Sequence, residues 1–184
     1  MKWKKDKVVL SRISQLKLFA DETGHSVSWS VLRGGERVIL FVTAPARRGT
    51  LLKKRIKHEP PYRHAAGWML MAGLSPRMMR AYYKKWGVPG DYWPEMCDEA
   101  DFLQVLRTVQ KNGGLVKSVD DRTEIAAPIL REDRIIAAIS LSLSMEKTSA
   151  EKSQELLSRL QETAREISQE DHYRQPLRSC LWRM

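Results

Sequence analysis

The chain has 184 residues, 32 lysines and arginines against 22 aspartates and glutamates, and a net charge of +10. With 42% hydrophobic and 29% charged residues it is too apolar to be disordered, and its length suits one sizeable domain over 1–184. The longest apolar runs, at 68–72 and 135–139, fall far short of the roughly 18 residues a membrane helix needs. No apolar segment follows the basic start, and Cys97 and Cys180 lie too far apart for a CxxC pair. These features predict a cytoplasmic single-domain protein.

Val9, Ile13, Leu16 and Ala20 recur at helical spacing, and Gly24 ends that segment. Val27, Trp29 and Val31 then alternate with Ser26, Ser28 and Ser30, which predicts a half-buried strand. Gly34-Gly35 supplies a hairpin turn, and 36–43 (ERVILFVT) returns as the partner strand. Residues 44–63 carry Pro45, Gly49, Pro60 and Pro61 and read as an extended basic loop with room for a short strand.

A short, largely buried helix is predicted over Ala65–Ala72. The next helix starts with Ser75 as cap and Pro76 in the first helical position. Met78, Met79, Tyr82, Tyr83 and Trp86 form its apolar side. A further helix from about Asp98 to Asn112 buries Phe102, Leu106 and Val109, and Gly113-Gly114 closes it. Strands follow at 115–118, 124–130 and 134–143, the last two joined by a polar turn at 131–133. Thr148 and Glu151 have capping-box spacing ahead of a helix that aligns Leu156, Leu160, Ala164 and Ile167. Residues 169–184 form a polar tail in which Leu181-Trp182 can dock. Hairpin-linked strands with helices packed beside them make an α+β domain.

Charge is uneven. Residues 1–90 carry net +14 and residues 91–184 net −4, with basic runs at Arg47-Arg48 and 53–57. That asymmetry suits phosphate-rich partners, although a solvated basic loop has the same composition. Tryptophans and tyrosines in the basic half suggest stacking on single strands. Trp68 and Tyr82, however, sit on apolar helix faces that favour core packing, and no RNA-recognition, KH or zinc-finger signature is present.

Catalytic patterns are missing. His25, His58, His64 and His172 lack metal-site spacing, and there is no HExxH, GxSxG or glycine-rich phosphate loop. Asp120-Asp121 with Glu124 form an acidic cluster, and Cys97 lies in an aromatic loop with no base assigned to it. Ligand binding has firmer support. Ser140, Ser142 and Ser144 project from one face of a strand, and His64-Ala65-Ala66-Gly67 begins a helix whose free amides can face an anion.

Several segments in order resemble the effector-binding domain of IclR-type bacterial transcriptional regulators. They are YRHAAGWMLMAGLS (62–75), the helix and glycine at 103–114, EIAAPIL (124–130) with 135–144, the closing helix to Ile167-Ser168, and the opening 18–31. The resemblance covers about residues 10–168. It implies a GAF-like, profilin-like antiparallel sheet flanked by helices, with a pocket on one face for a small carboxylate. By motif position that pocket is lined by Leu51, Ala65, Ala66, Gly67, Glu124, Ser140 and Ser142, with Asp120 or Asp121 from the preceding loop. Amides near 65–67 and the serine hydroxyls would hold the anion.

The resemblance further implies a homodimer or tetramer, no catalysis, no cofactor and no metal. DNA would be bound through a winged helix-turn-helix that these 184 residues do not contain. The sequence departs from the family pattern at Trp68, in a slightly short 114–124 loop, and in the basic run at 53–57. A stand-alone basic nucleic-acid-binding module is the alternative reading, and an enzyme using Cys97 or the acidic loop is the third.

Overall fold

The computed structural model describes residues 7–45, 50–51, 55–57, 60–94, 96–119, 121–144 and 149–173. Helix α1 (Lys7–Thr23) leads into strands β1 (Val27–Arg33) and β2 (Glu36–Thr43), followed by the short β3 (Thr50–Leu51) and β4 (Arg55–Lys57). Helices α2 (Ala65–Ala72), α3 (Pro76–Trp86) and α4 (Glu99–Asn112) come next. Strands β5 (Leu115–Val119), β6 (Arg122–Arg131) and β7 (Arg134–Ser144) and helix α5 (Ala150–Tyr173) complete the domain.

All strand pairs are antiparallel, in the order β3-β2-β1-β7-β6-β5, with β4 also paired to β2. The α+β sheet flanked by helices is therefore what forms. Two tight turns set the hairpin registers. Gly34 and Gly35 have φ of 58° and 84°, and Glu132 and Asp133 reach 51° and 58°. Positive φ at both central residues gives the turn twist that right-twisted strands need.

Period-two alternation sorts the side chains onto two faces. Ile125, Ala127 and Ile129 of β6 and Ala137, Ile139 and Leu141 of β7 pack with Leu16 and Phe19 of α1 and Leu156, Leu160 and Ile167 of α5. The other face carries Ala126 and Ala138 under α2, with Trp68, Phe102 and Leu106 behind them. Alanine there lets α2 approach the sheet closely. Glu124, Ser140 and Ser142 belong to this same face, beyond the end of α2.

Local chemistry fixes most helix ends as the sequence predicts. Ser75 Oγ accepts from Met78 N, Asp98 accepts from Asp101 N, and Gly113 takes the left-handed conformation at φ 59°. Four expectations change. Met78 is 49% exposed, and α3 instead packs through Met79 and Tyr82. The α5 cap is Ser149, whose Oγ accepts from Lys152 N, while Thr148 lies outside the described residues. Helix α5 also runs past Gln169 to Tyr173, and 181–182 lie outside the described residues. In β1 a register shift between Trp29 and Ser30 interrupts the alternation and buries both residues.

Candidate functional site

An open cleft of about 930 Å³ lies on the α2 face of the sheet, beyond the N-terminus of that helix. Its walls come from the end of α1 and the turn after it (Asp21, His25), from β1 (Ser28) and from β2 (Arg37, Ile39, Val42). Residue His64 and strands β6 (Arg122, Glu124) and β7 (Ser140, Ser142) complete it. Strand register brings the polar groups together. Glu124 faces Ser142 across the β6–β7 ladder, and Ser140 faces Ser28 across β7–β1. The hydroxyls of Ser28 and Ser140 share a hydrogen bond of 2.9 Å. Ser142 is exposed to the cleft.

Glu124 is the most constrained group. Its Oε1 lies 2.8 Å from His64 Nδ1, and its Oε2 accepts the Ala65 amide at 2.9 Å. Burial pushes this carboxyl up, but the His64 hydrogen bond and charge, the Ala65 amide and the Arg37 charge outweigh it. The net shift is downward, so Glu124 is held as a carboxylate. Arg37 is only 6% exposed and puts a buried guanidinium into the cleft wall. The imidazole of His25 is pushed down by burial and by nearby Lys152, which favours its neutral form. Asp21 is held by Lys17 at 2.5 and 2.6 Å.

Of the residues marked from sequence, Glu124, Ser140 and Ser142 meet in this cleft. Ala65, Ala66 and Gly67 do not line it. They are buried in α2, and the Ala65 amide expected to be free is already taken by Glu124. The absent side chain of Gly67 admits the Pro61 carbonyl, since a Cβ there would lie 1.7 Å from Pro61 O. Leu51 pairs through its backbone with Val42, which lines the cleft. Asp120 lies outside the described residues, and Asp121 is exposed beside Arg122 at 3.7 Å.

Sequence reasoning passed over Arg37, His25, Ser28 and Arg122. Arg37 had a signal: it is a cation at the second position of a strand whose next five residues are apolar. The other three required the register.

Trp68 and Tyr82 are buried in the helical core, as apolar helix faces predict. Trp68 Nε1 donates to Tyr62 O at 2.6 Å. Most of the basic 47–57 segment lies outside the described residues. Cys97 is exposed at the start of α4. Among the described residues no group of three or more His, Cys, Asp or Glu is placed to hold a metal ion. No described helix is long and apolar enough to cross a membrane.

The family described as bacterial transcriptional regulator IclR C-terminal matches residues 5–169. Among solved structures, a transcriptional regulator from Rhodococcus sp. RHA1 superposes with a TM-score of 0.75 at 21% identity, over 91% of this chain and 70% of that one. The inducer-binding domain of the Acinetobacter transcription factor PobR, a double mutant in complex with 3-hydroxybenzoic acid, has a TM-score of 0.73 at 22% identity. That match covers 86% and 96% of the two chains. The C-terminal domain of the E. coli regulator KdgR has a TM-score of 0.70 at 22% identity, over 88% and 96%. No curated protein matches the sequence.

Proposed function

The chain belongs to the IclR C-terminal family of bacterial transcriptional regulators, whose domains bind effectors, and from this we infer that it senses a small carboxylate metabolite without catalysing a reaction. The observation that carries the reading is the buried guanidinium of Arg37 in a cleft floored by Ser28, Ser140 and Ser142. A guanidinium of low exposure gains most from an anion that can take two parallel hydrogen bonds, and carboxylates fit that fork. The hydroxyls orient the rest of the ligand. The Ala65 amide acts from behind by holding Glu124 in place.

The test is a thermal-shift screen with pyruvate, glyoxylate, sugar acids and hydroxybenzoates. A ligand at a hundred times its Kd stabilises the fold by about 2.7 kcal/mol, which is easily read. Each hit is then titrated against Arg37→Gln and Ser142→Ala. Affinity is expected to fall about tenfold or more in each. Hits indifferent to both substitutions, or an empty screen, would overturn the assignment.

Assembly and DNA contact belong to the same reading. A homodimer or tetramer is expected, so light scattering at micromolar concentration should exceed the 21.3 kDa of one chain. Duplex binding by these 184 residues should be electrostatic, insensitive to sequence, and steeply weakened by salt. Sequence preference at about 0.2 M salt would favour the nucleic-acid-binding alternative.

A further inference from the structure

An unoccupied helix N-terminus attracts anions, because its first amides lack partners. Here that place is filled by the protein. Glu124 reaches across from β6, accepts the Ala65 amide at 2.9 Å with Oε2, and meets His64 with Oε1 at 2.8 Å. The amides of Gly67 and Trp68 are bonded to the His64 carbonyl at 2.9 and 3.2 Å. A ligand carboxylate brought to the start of α2 would face the like charge of Glu124, in a wall where repulsion is stronger than in water.

The rest of the cleft differs. Arg37 and Arg122 line it from β2 and β6, opposite the carboxylate of Glu124, while the Asp21 carboxylate at its edge is paired with Lys17. A cleft that presents both signs selects for a ligand with two kinds of group, an anion for the arginines and a donor for the acid. Three serine hydroxyls lie on the sheet face that carries Glu124, with Ser28 and Ser140 already joined at 2.9 Å.

We propose that Glu124 determines specificity: the effector is a hydroxylated carboxylic acid, its carboxylate held by Arg37 and a hydroxyl donated to Glu124. This rests on the reading of the cleft as the effector site. A keto acid or an unsubstituted acid has no donor for Glu124. A carboxylate that keeps acceptor capacity beside buried surface loses its water to such a ligand without a replacement. An amine would also donate, but three neutral hydroxyls around one acid suit a hydroxylated ligand better than a second full charge.

Isothermal titration of the 184-residue chain tests this with butyrate, acetoacetate, 3-hydroxybutyrate and 3-aminobutyrate, and with hexanoate against gluconate. The hydroxylated member of each set is expected to bind at least about tenfold tighter than its unsubstituted or keto counterpart. Glu124→Gln keeps the shape and an acceptor for the Ala65 amide but removes the charge. It should weaken the hydroxylated acids, strengthen the plain ones, and narrow the preference below about threefold. Thermal midpoints check that the variant is folded, and the unmodified chain's own preference decides the matter if it is not.

Plain or keto acids binding as tightly as hydroxylated ones, with Arg37→Gln still weakening all of them, would overturn the role of Glu124 and leave the effector site standing. Tightest binding by the amine would overturn the hydroxyl in favour of a zwitterion. If no acid binds, or Arg37→Gln changes nothing, the effector-site reading falls and this inference with it.

Discussion

His64 Nδ1 and Glu124 Oε1 lie 2.8 Å apart, joining the residue before α2 to the third residue of β6 across 60 positions of sequence. Both side chains are mostly buried, and the second carboxylate oxygen holds the first amide of α2. One pair thus closes a helix end, ties helix to sheet, and gives the cleft its fixed negative charge.

Glu124→Ala removes the acceptor from both the imidazole and the amide. The expected loss is about 1–3 kcal/mol in urea unfolding at neutral pH, with Glu124→Gln losing less because it still accepts from Ala65. The folded carboxyl lies below its ordinary value of 4.5, so it binds fewer protons folded than unfolded. Its contribution is full above that value and disappears as pH falls through the folded value. Unfolding curves between about pH 3 and 6 should show a shallower acid-side loss of stability in Glu124→Gln than in the parent.

Ser140 and Ser142 should separate in their effects on stability. Ser140 is buried and bonded to Ser28, so Ser140→Ala is expected to cost about 1 kcal/mol. Ser142 is exposed to the cleft, and Ser142→Ala should stay within about 0.5 kcal/mol of the parent. Chemical denaturation of the two variants side by side reads this directly. Equal losses would mean that Ser142 supports the fold.

Gly67→Ala is expected to be far worse than an ordinary helix substitution. Alanine normally improves a helix interior, but here its Cβ would meet the Pro61 carbonyl at 1.7 Å. Backbone must move, and a loss of about 3 kcal/mol or more should appear in thermal unfolding or as poor accumulation of folded protein. A variant as stable as the parent would show that 61–63 does not pack on α2 this way.

Tyr82 is 7% exposed, and its hydroxyl has no hydrogen-bond partner among the described residues. Tyr82→Phe should therefore leave stability unchanged or raise it by up to about 1 kcal/mol. Burial, helped by the charge of Glu36, pushes this phenol up from 10.0 to about 12. The unfolded chain releases the proton first, so stability declines as pH rises from 10 towards 12. Phenylalanine should remove that part of the alkaline loss, read as the difference between the two proteins' unfolding profiles.

Much of this protein was legible one element at a time. The serine and aspartate caps of α3 and α4, the Gly34-Gly35 turn, the period of β6 and β7 and the apolar stripe of α5 are local. Each depends on neighbours within a few residues, so the amino-acid order alone determines it. The family resemblance drew on the same short segments, and through them it marked Glu124, Ser140 and Ser142. Local reasoning also had limits within single elements. Met78 and Met79 are equally apolar, and only tertiary packing decided which one is buried.

The cleft's chemistry was decided by tertiary structure. Ser28 meets Ser140 across 112 positions, and Arg37 acts on Glu124 from the neighbouring half of the sheet. Strand register sets such relationships, and register is the sum of many side-chain choices rather than a property of any one segment. The sequence showed a glycine and two alanines at the start of α2 and, equally well, an acid on β6. Whether the helix end would face a ligand or that acid depended on how closely α2 lies on Ala126 and Ala138. Because both are alanines, the helix sits near enough for Glu124 to reach it, and the protein's own carboxylate takes the place that an anion would otherwise fill.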